Sequence, residues 1–136
     1  MIDYLTQLVV TPVARDWPAK HLGNSTDKRM LTQTFKVRVL LSDGSLLFIN
    51  VPEGYVTDGA SIPRAFHTIY HPFATESFWA SVVHDYIYSH LHFKLSKQFA
   101  DSLFREMIRI NGGSWLMRES FYRAVRLNFN GGGWGK

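Results

Sequence analysis

The amino-acid sequence predicts an α+β domain in which a small antiparallel sheet, built on an N-terminal hairpin, packs against a C-terminal half of three helices. Three observations point there. Two alternating runs, "FKVRVLL" and "LLFINV", flank the turn-forming stretch "SDGS". Beyond residue 73 the apolar spacing changes from every second residue to every third and fourth. Strands precede helices instead of alternating with them, which argues against a parallel sheet. The 136 residues are 46% hydrophobic, enough for one core, so the chain reads as a single domain over 1–136 with no internal repeat.

The elements follow in order. "LTQLVVTPVA" holds β-branched residues and one proline, and reads as a short strand, at a sheet edge if anywhere. "RDWPAKHLGNSTDKRM" is polar and broken by Pro18 and Gly23, and reads as a loop. In "LTQTFKVRVLL", Phe35, Val37 and Val39 point one way and Lys36 and Arg38 the other, as in a half-buried strand. Asp43-Gly44 then turns the chain, and the hairpin spans roughly 31–52. "YVTDGASIPRAFHTIYHPFA" reads as an ordered loop with one helical turn near Arg64–Ile69, because Pro63 and Pro72 interrupt anything longer. A first helix starts near Thr75. A second runs from a Ser96 cap to a Gly112 stop, with Phe99, Leu103, Met107 and Ile110 as its apolar face. A third runs from Ser114 towards Gly131, and the tail "GGGWGK" is loose in composition, with Trp134 able to dock.

Composition narrows the function classes. There is no cysteine, so a disulfide scaffold and a cysteine-ligated zinc site are excluded. No apolar run approaches the length of a membrane span. "MIDYLTQLVV" has an early acid and no basic region, and does not read as a secretion signal. Residues 1–90 carry a net charge of −1 and residues 91–136 one of +5. That asymmetry suits an acidic partner, phosphate or anionic lipid, or else a solvated helix face. No nucleic-acid motif, GxSxG elbow, P-loop or HExxH accompanies it.

The candidate site begins at "VVHDYIYSH". On the first helix Phe78, Trp79, Val82, Val83, Tyr86 and Ile87 form a broad apolar surface. Ser81, His84, Asp85 and Tyr88 share a narrow polar stripe within it. A stripe flanked by apolar residues faces inward or into a cleft, where His84 and Asp85 need partners. Asp101 lies on the next helix in the row Lys97, Asp101, Arg105. It either forms a surface ladder of i, i+4 ion pairs or crosses to the neighbouring helix and orients His84. The short connection "HLHFKL" makes that crossing feasible. Asp58, Ser61 and Arg64 sit in "TDGASIPR", a loop that either binds an ion or closes an Asx turn on itself.

Four segments in sequence, "GYVTDGASIPR", "ASVVHDYIYS", "ADSLFREMI" and "FYRAVRLNF", together resemble the family designated domain of unknown function 1353, found mostly in bacteriophages and prophages. Its pattern is a D-G-A-S-[IV]-P-R loop, an H-D-x-[LI]-Y helix, an A-D-x-x-F helix and a closing Y-x-A-V-R helix. The match covers about residues 30–130. One departure is visible: the family commonly places a glycine after A-V-R-x-F, where this chain continues Leu127-Asn128-Phe129. The resemblance implies a shared polar site that includes Asp58, Ser61, His84, Asp85, Tyr88 and Asp101. It also implies a setting in the infected host's cytoplasm or in a phage particle.

The local pattern H-D-x-x-Y followed by D-x-x-F is also similar to the secreted calcium-dependent phospholipases. That similarity implies His84 as base, Asp85 as metal ligand and Asp101 as the group that orients the histidine. Those enzymes carry a glycine-rich calcium loop and disulfides, which this chain lacks. Two readings therefore stand side by side. One is a hydrolase with His84 and Asp101 as its catalytic pair, a divalent metal at Asp58 or Asp85, and Ser61, Arg64 and Tyr88 in support, acting on a cell-envelope ester or amide. The other is a non-catalytic particle or tail component, or an infection accessory, that binds a phage or host protein or a further copy of itself. In that case the same residues fix helix register.

Overall fold

The computed structural model describes residues 1–13, 28–57, 75–127 and Trp134. The chain divides into two compact units, Met1–Asp58 and Gly59–Lys136. The first is all strand among its described residues and the second all helix, so the fold is α+β.

Unit one holds six strands: β1 (Ile2–Tyr4), β2 (Val10–Pro12), β3 (Arg29–Leu31), β4 (Phe35–Leu40), β5 (Leu46–Val51) and β6 (Val56–Thr57). They form two three-stranded antiparallel sheets, ordered β1-β4-β5 and β2-β3-β6. Within the strand expected over "LTQLVVTPVA" only Val10–Pro12 pairs, as β2, while β1 precedes that stretch at Ile2–Tyr4, so the N-terminal segment is broken between Tyr4 and Val10. The run from Leu31 to Leu41 is likewise broken after Leu31. Both breaks fall at the same level, where the chain passes from one sheet to the other. Thr6 manages the transition: its hydroxyl donates to the Thr34 carbonyl and accepts from the Lys36 N–H, each at 2.9 Å. Alternation alone could not show this, because a corner keeps the inward and outward pattern on each side. Arg29 and Met30, read as loop, belong to β3. Val56 and Thr57, also read as loop, pair with β3 as β6.

The hairpin forms where the alternation predicts it, from Phe35↔Val51 to Leu40↔Leu46. Its loop is the three residues Ser42–Asp43–Gly44. The Gly44 N–H closes the turn on the Leu41 carbonyl at 3.0 Å, and Gly44 takes φ +88°, which suits a residue without a Cβ. The Asp43 carboxylate accepts from the Ser45 N–H and hydroxyl at 2.9 and 2.6 Å, which lowers its pKa. One face of the hairpin, Phe35, Val37, Val39, Ile49 and Val51, is buried with Leu31 as the core of this unit.

Unit two holds three helices: α1 (Thr75–His90), α2 (Lys97–Ile110) and α3 (Trp115–Leu127). The Ser96 hydroxyl caps α2 through the Phe99 N–H at 3.0 Å, and the Ser114 hydroxyl caps α3 through the Met117 N–H at 3.1 Å. The expected stop at Gly112 is a Schellman motif. Gly112 adopts φ +92°, its N–H reaches the Arg109 carbonyl, and the Gly113 N–H reaches the Ile108 carbonyl at 2.9 Å. The helix stop expected at Gly131 and the helical turn expected near Arg64–Ile69 fall outside the described residues.

α2 packs against both α1 and α3, so its buried face is wider than the row Phe99, Leu103, Met107, Ile110. Ala100, Asp101, Leu103, Phe104, Met107 and Ile108 are buried, and Ile110 is exposed. Phe104 and Phe121 stack across α2 and α3 with centroids 6.4 Å apart. The α2–α3 turn is tight enough that a Cβ on Gly113 would lie 2.4 Å from Ile108 Cγ2 and 2.9 Å from the Ile108 carbonyl oxygen. Gly113→Ala is therefore expected to cost about 1–3 kcal/mol by overpacking. A denaturation midpoint equal to wild type would show that the turn relaxes freely.

Candidate functional site

α1 is buried on most of its circumference, and the polar stripe goes inward with it. Ser81, His84 and Tyr88 are buried and Asp85 is half-buried. α2 runs back along α1 after the short turn from Leu91 to Ser96, which brings Asp101 opposite His84 and Tyr88. The His84 Nε2 lies 2.7 Å from Asp101 Oδ1. The Tyr88 hydroxyl, one turn further along α1, donates to the same oxygen. On the other side of the carboxylate, Lys97 Nζ donates to Oδ2 at 2.8 Å and Arg126 Nη1 from α3 donates to it at 2.9 Å. Lys97 also donates to the Val125 carbonyl at 2.7 Å, tying the start of α2 to the last turn of α3. Of the expected surface ladder only the Lys97–Asp101 pair exists in that form. Asp101 is fully buried, and Arg105 turns to Glu119 at 3.6 Å and to the Tyr122 ring.

One carboxylate thus draws donors from all three helices, and its acceptor sites are filled. Burial alone would raise the Asp101 pKa, but the bonds from His84, Lys97 and Tyr88 outweigh it and hold the carboxyl at about 2. Asp101 is therefore ionised and can only accept. The atom facing it on His84 must carry a hydrogen, so Nε2 is N–H. Burial lowers the His84 pKa, only partly opposed by Asp101, with Lys97 adding to the lowering. A neutral imidazole with its hydrogen on Nε2 has its basic lone pair on Nδ1. The ring is held between Tyr88, centroid at 4.1 Å, and Phe104, at 4.7 Å. Burial and the bond to Asp101 push the Tyr88 phenol well above its usual range. Trp134 meets Tyr88 edge-on at 4.9 Å, as its aromatic character allowed.

These shifts set an acid dependence of stability. A histidine whose folded pKa is depressed contributes fully above the unfolded value of about 6.5, and this is lost as pH falls towards the folded value. Asp101 contributes fully above about 3.8, and that is lost as pH falls to about 2. The difference at Asp101 corresponds to about 2–3 kcal/mol. Stability is expected to decline in two stages on acidification, the first beginning near pH 6.5 and absent from His84→Gln. A single stage confined below pH 4 in wild type would contradict the neutral buried histidine.

Asp85 lies beside His84 in sequence but does not join the Asp101 cluster. Its main-chain carbonyl accepts from the Ser89 hydroxyl at 2.7 Å. Asp58, Ser61 and Arg64 lie outside the described residues. Among the described residues no three His, Asp or Glu side chains converge as a metal site. The Ser81 hydroxyl, one turn from His84 on the same face, is buried with no hydrogen-bond partner among the described residues. Sequence reasoning placed Lys97 on the surface and gave Arg126 no role. The i, i+4 spacing of Lys97 to Asp101 was the available signal for the first, and the arginine of "AVR" for the second.

Fold and site together define a small α+β protein whose helical unit closes around a buried, ionised aspartate bonded to a histidine. The family profile described as "Protein of unknown function (DUF1353)" matches residues 31–125, and the chain belongs to this family. No curated protein and no solved structure matches the sequence. Among the described residues no helix is long and apolar enough to cross a membrane.

Proposed function

We propose that the chain is a hydrolase, with His84 as general base and Asp101 as the positioning residue behind it, acting on an ester or amide of the cell envelope in a bacteriophage setting. The observation that carries this reading is the His84–Asp101 contact at 2.7 Å onto an ionised carboxylate, which leaves the basic lone pair on Nδ1. The similarity to the calcium-dependent phospholipases implies the same division of roles between the two residues. Tyr88 and Lys97 hold Asp101 in place. In the reaction, Nδ1 takes a proton from water as the water oxygen bonds to the substrate carbonyl carbon. The imidazolium returns that proton to the leaving oxygen or nitrogen as its bond to carbon breaks. The Ser81 hydroxyl on the same face, buried with no hydrogen-bond partner among the described residues, supports a polar guest near the base. If a divalent cation takes part, Asp85 is the described carboxylate closest in sequence to the base, with Asp58 as the expected second ligand.

A second reading is favoured by the burial of the same residues. With Asp101 fully buried and bonded from three helices, the cluster also suits a polar keystone in a non-catalytic particle or tail component, or an infection accessory that binds a phage or host protein. The two separate on one experiment. Wild type and His84→Gln are assayed on simple carboxylic esters, phospholipid vesicles and peptidoglycan fragments. The hydrolase reading expects turnover in wild type that His84→Gln abolishes. Absence of turnover on all three classes, or full activity in the variant, would overturn it.

A further inference from the structure

Among the described residues the β1-β4-β5 sheet has one long edge, β5, that no strand covers. The Leu41 N–H bonds to the Ser45 carbonyl at 2.9 Å, which fixes the phase of the hairpin ladder. Leu47, Ile49 and Val51 therefore turn their backbone groups towards β4. Leu46, Phe48 and Asn50 turn theirs outward. No strand pairs with that side among the described residues. Edges of this kind are normally protected by a charge, a proline, a bulge or shortness. β5 has none of these: its six residues, "LLFINV", are uncharged and in unbroken register with β4. The side chains beside the open edge are apolar as well, with Leu46 and Phe48 each about half exposed, at 52% and 53%.

We propose that β5 docks against β5 of a second copy of this chain, antiparallel about a two-fold axis through Phe48, giving a continuous sheet across the pair. A self-complementary contact requires that each outward residue meet an acceptable partner. With the axis at Phe48, that residue exchanges both backbone bonds with its own counterpart, and Leu46 exchanges them with Asn50 of the other copy. The two Phe48 rings become cross-strand neighbours on the outer face. No like charges are forced together. Arg38 and Lys36 lie one strand in, so their counterparts stay about three strand spacings away, ~14 Å, beyond the screening length of roughly 8–10 Å. The uncharged strand is matched by an identical uncharged strand, whereas a charged partner segment would find no complement on it. The opposite edge, β1, has only three residues and carries Asp3 paired to Arg38 at 2.8 Å, so association closes at two copies.

The test uses the full chain in sedimentation equilibrium from micromolar to near-millimolar concentration. Wild type should show a concentration-dependent mass approaching twice 15.7 kDa. Phe48→Pro removes an N–H that the ladder with β4 does not use, and Phe48→Lys adds a charge to the edge. Both should remain at monomer mass with far-ultraviolet circular dichroism unchanged. In the wild-type dimer the amide hydrogens of Leu46, Phe48 and Asn50 should gain exchange protection with concentration. A wild type that stays monomeric throughout would overturn the proposal. So would a dimer in which those three amides exchange freely, or one that survives Phe48→Lys in a folded chain.

Discussion

Asp101→Asn is expected to lower stability by about 3–5 kcal/mol, which at this chain length corresponds to a fall in melting temperature of roughly 10–20 °C. The substitution keeps the shape of the side chain and removes its charge. His84 and Tyr88 can still donate to the remaining carbonyl oxygen. Lys97 and Arg126, which both bond to Oδ2, would meet an amide N–H2 in its place and lose the counter-charge between them. Domains of this size have only about 5–15 kcal/mol in total, so the variant sits near the limit of folding. Lys97→Met should cost less, because Arg126 still balances the carboxylate and because the lysine is partly open to solvent. Thermal melts of both variants beside wild type check the order. An Asp101→Asn melt within a few degrees of wild type would show that the carboxylate is not what holds the three helices in register.

The second large effect separates chemistry from architecture at His84. His84→Gln replaces the ring with an amide that can still donate to Asp101 but has no basic nitrogen. On the hydrolase reading it should lose about 10²–10⁴ in turnover and little stability. His84→Ala should lose the same activity and, in addition, about 1–3 kcal/mol. That figure is smaller than for Asp101 because Asp101 keeps Tyr88, Lys97 and Arg126 as donors. If the residue serves packing alone, Ala and Gln differ in melting temperature in the same way, but neither has an activity to lose. Melting with added calcium, magnesium or zinc belongs in the same series, since a cation that binds only the native state raises the wild-type midpoint.

Much of this site could be seen in the sequence because helices transmit spacing directly into geometry. His84 and Tyr88 are one turn apart, the connection to α2 is short, and Asp101 then falls opposite them. The hairpin was equally legible, since its alternation and Asp43-Gly44 act locally. What escaped depends on contacts between segments distant in the chain. The sheet corner at Thr6 and Thr34 is decided by a side-chain bond across 28 positions. β3 and β6 are too short to show a period, and exist because their backbones find partners. Arg126 reaches Asp101 from 25 positions away, and a lone arginine in an amphipathic helix reads as solvated. The wrong placement of Ile110 has a similar cause: α2 is flanked on two sides, so its buried face is centred between the rows that a single-sided helix would use.

Asp101, ionised and fully donated to, fixes His84 as a neutral imidazole with its hydrogen on Nε2 and its basic lone pair on Nδ1. The most direct test is the nitrogen NMR spectrum of the His84 ring in uniformly labelled wild type at neutral pH, assigned by comparison with His84→Gln. The expected spectrum shows a protonated Nε2 and an unprotonated Nδ1. A hydrogen on Nδ1 with Nε2 bare, or a doubly protonated ring, would contradict it.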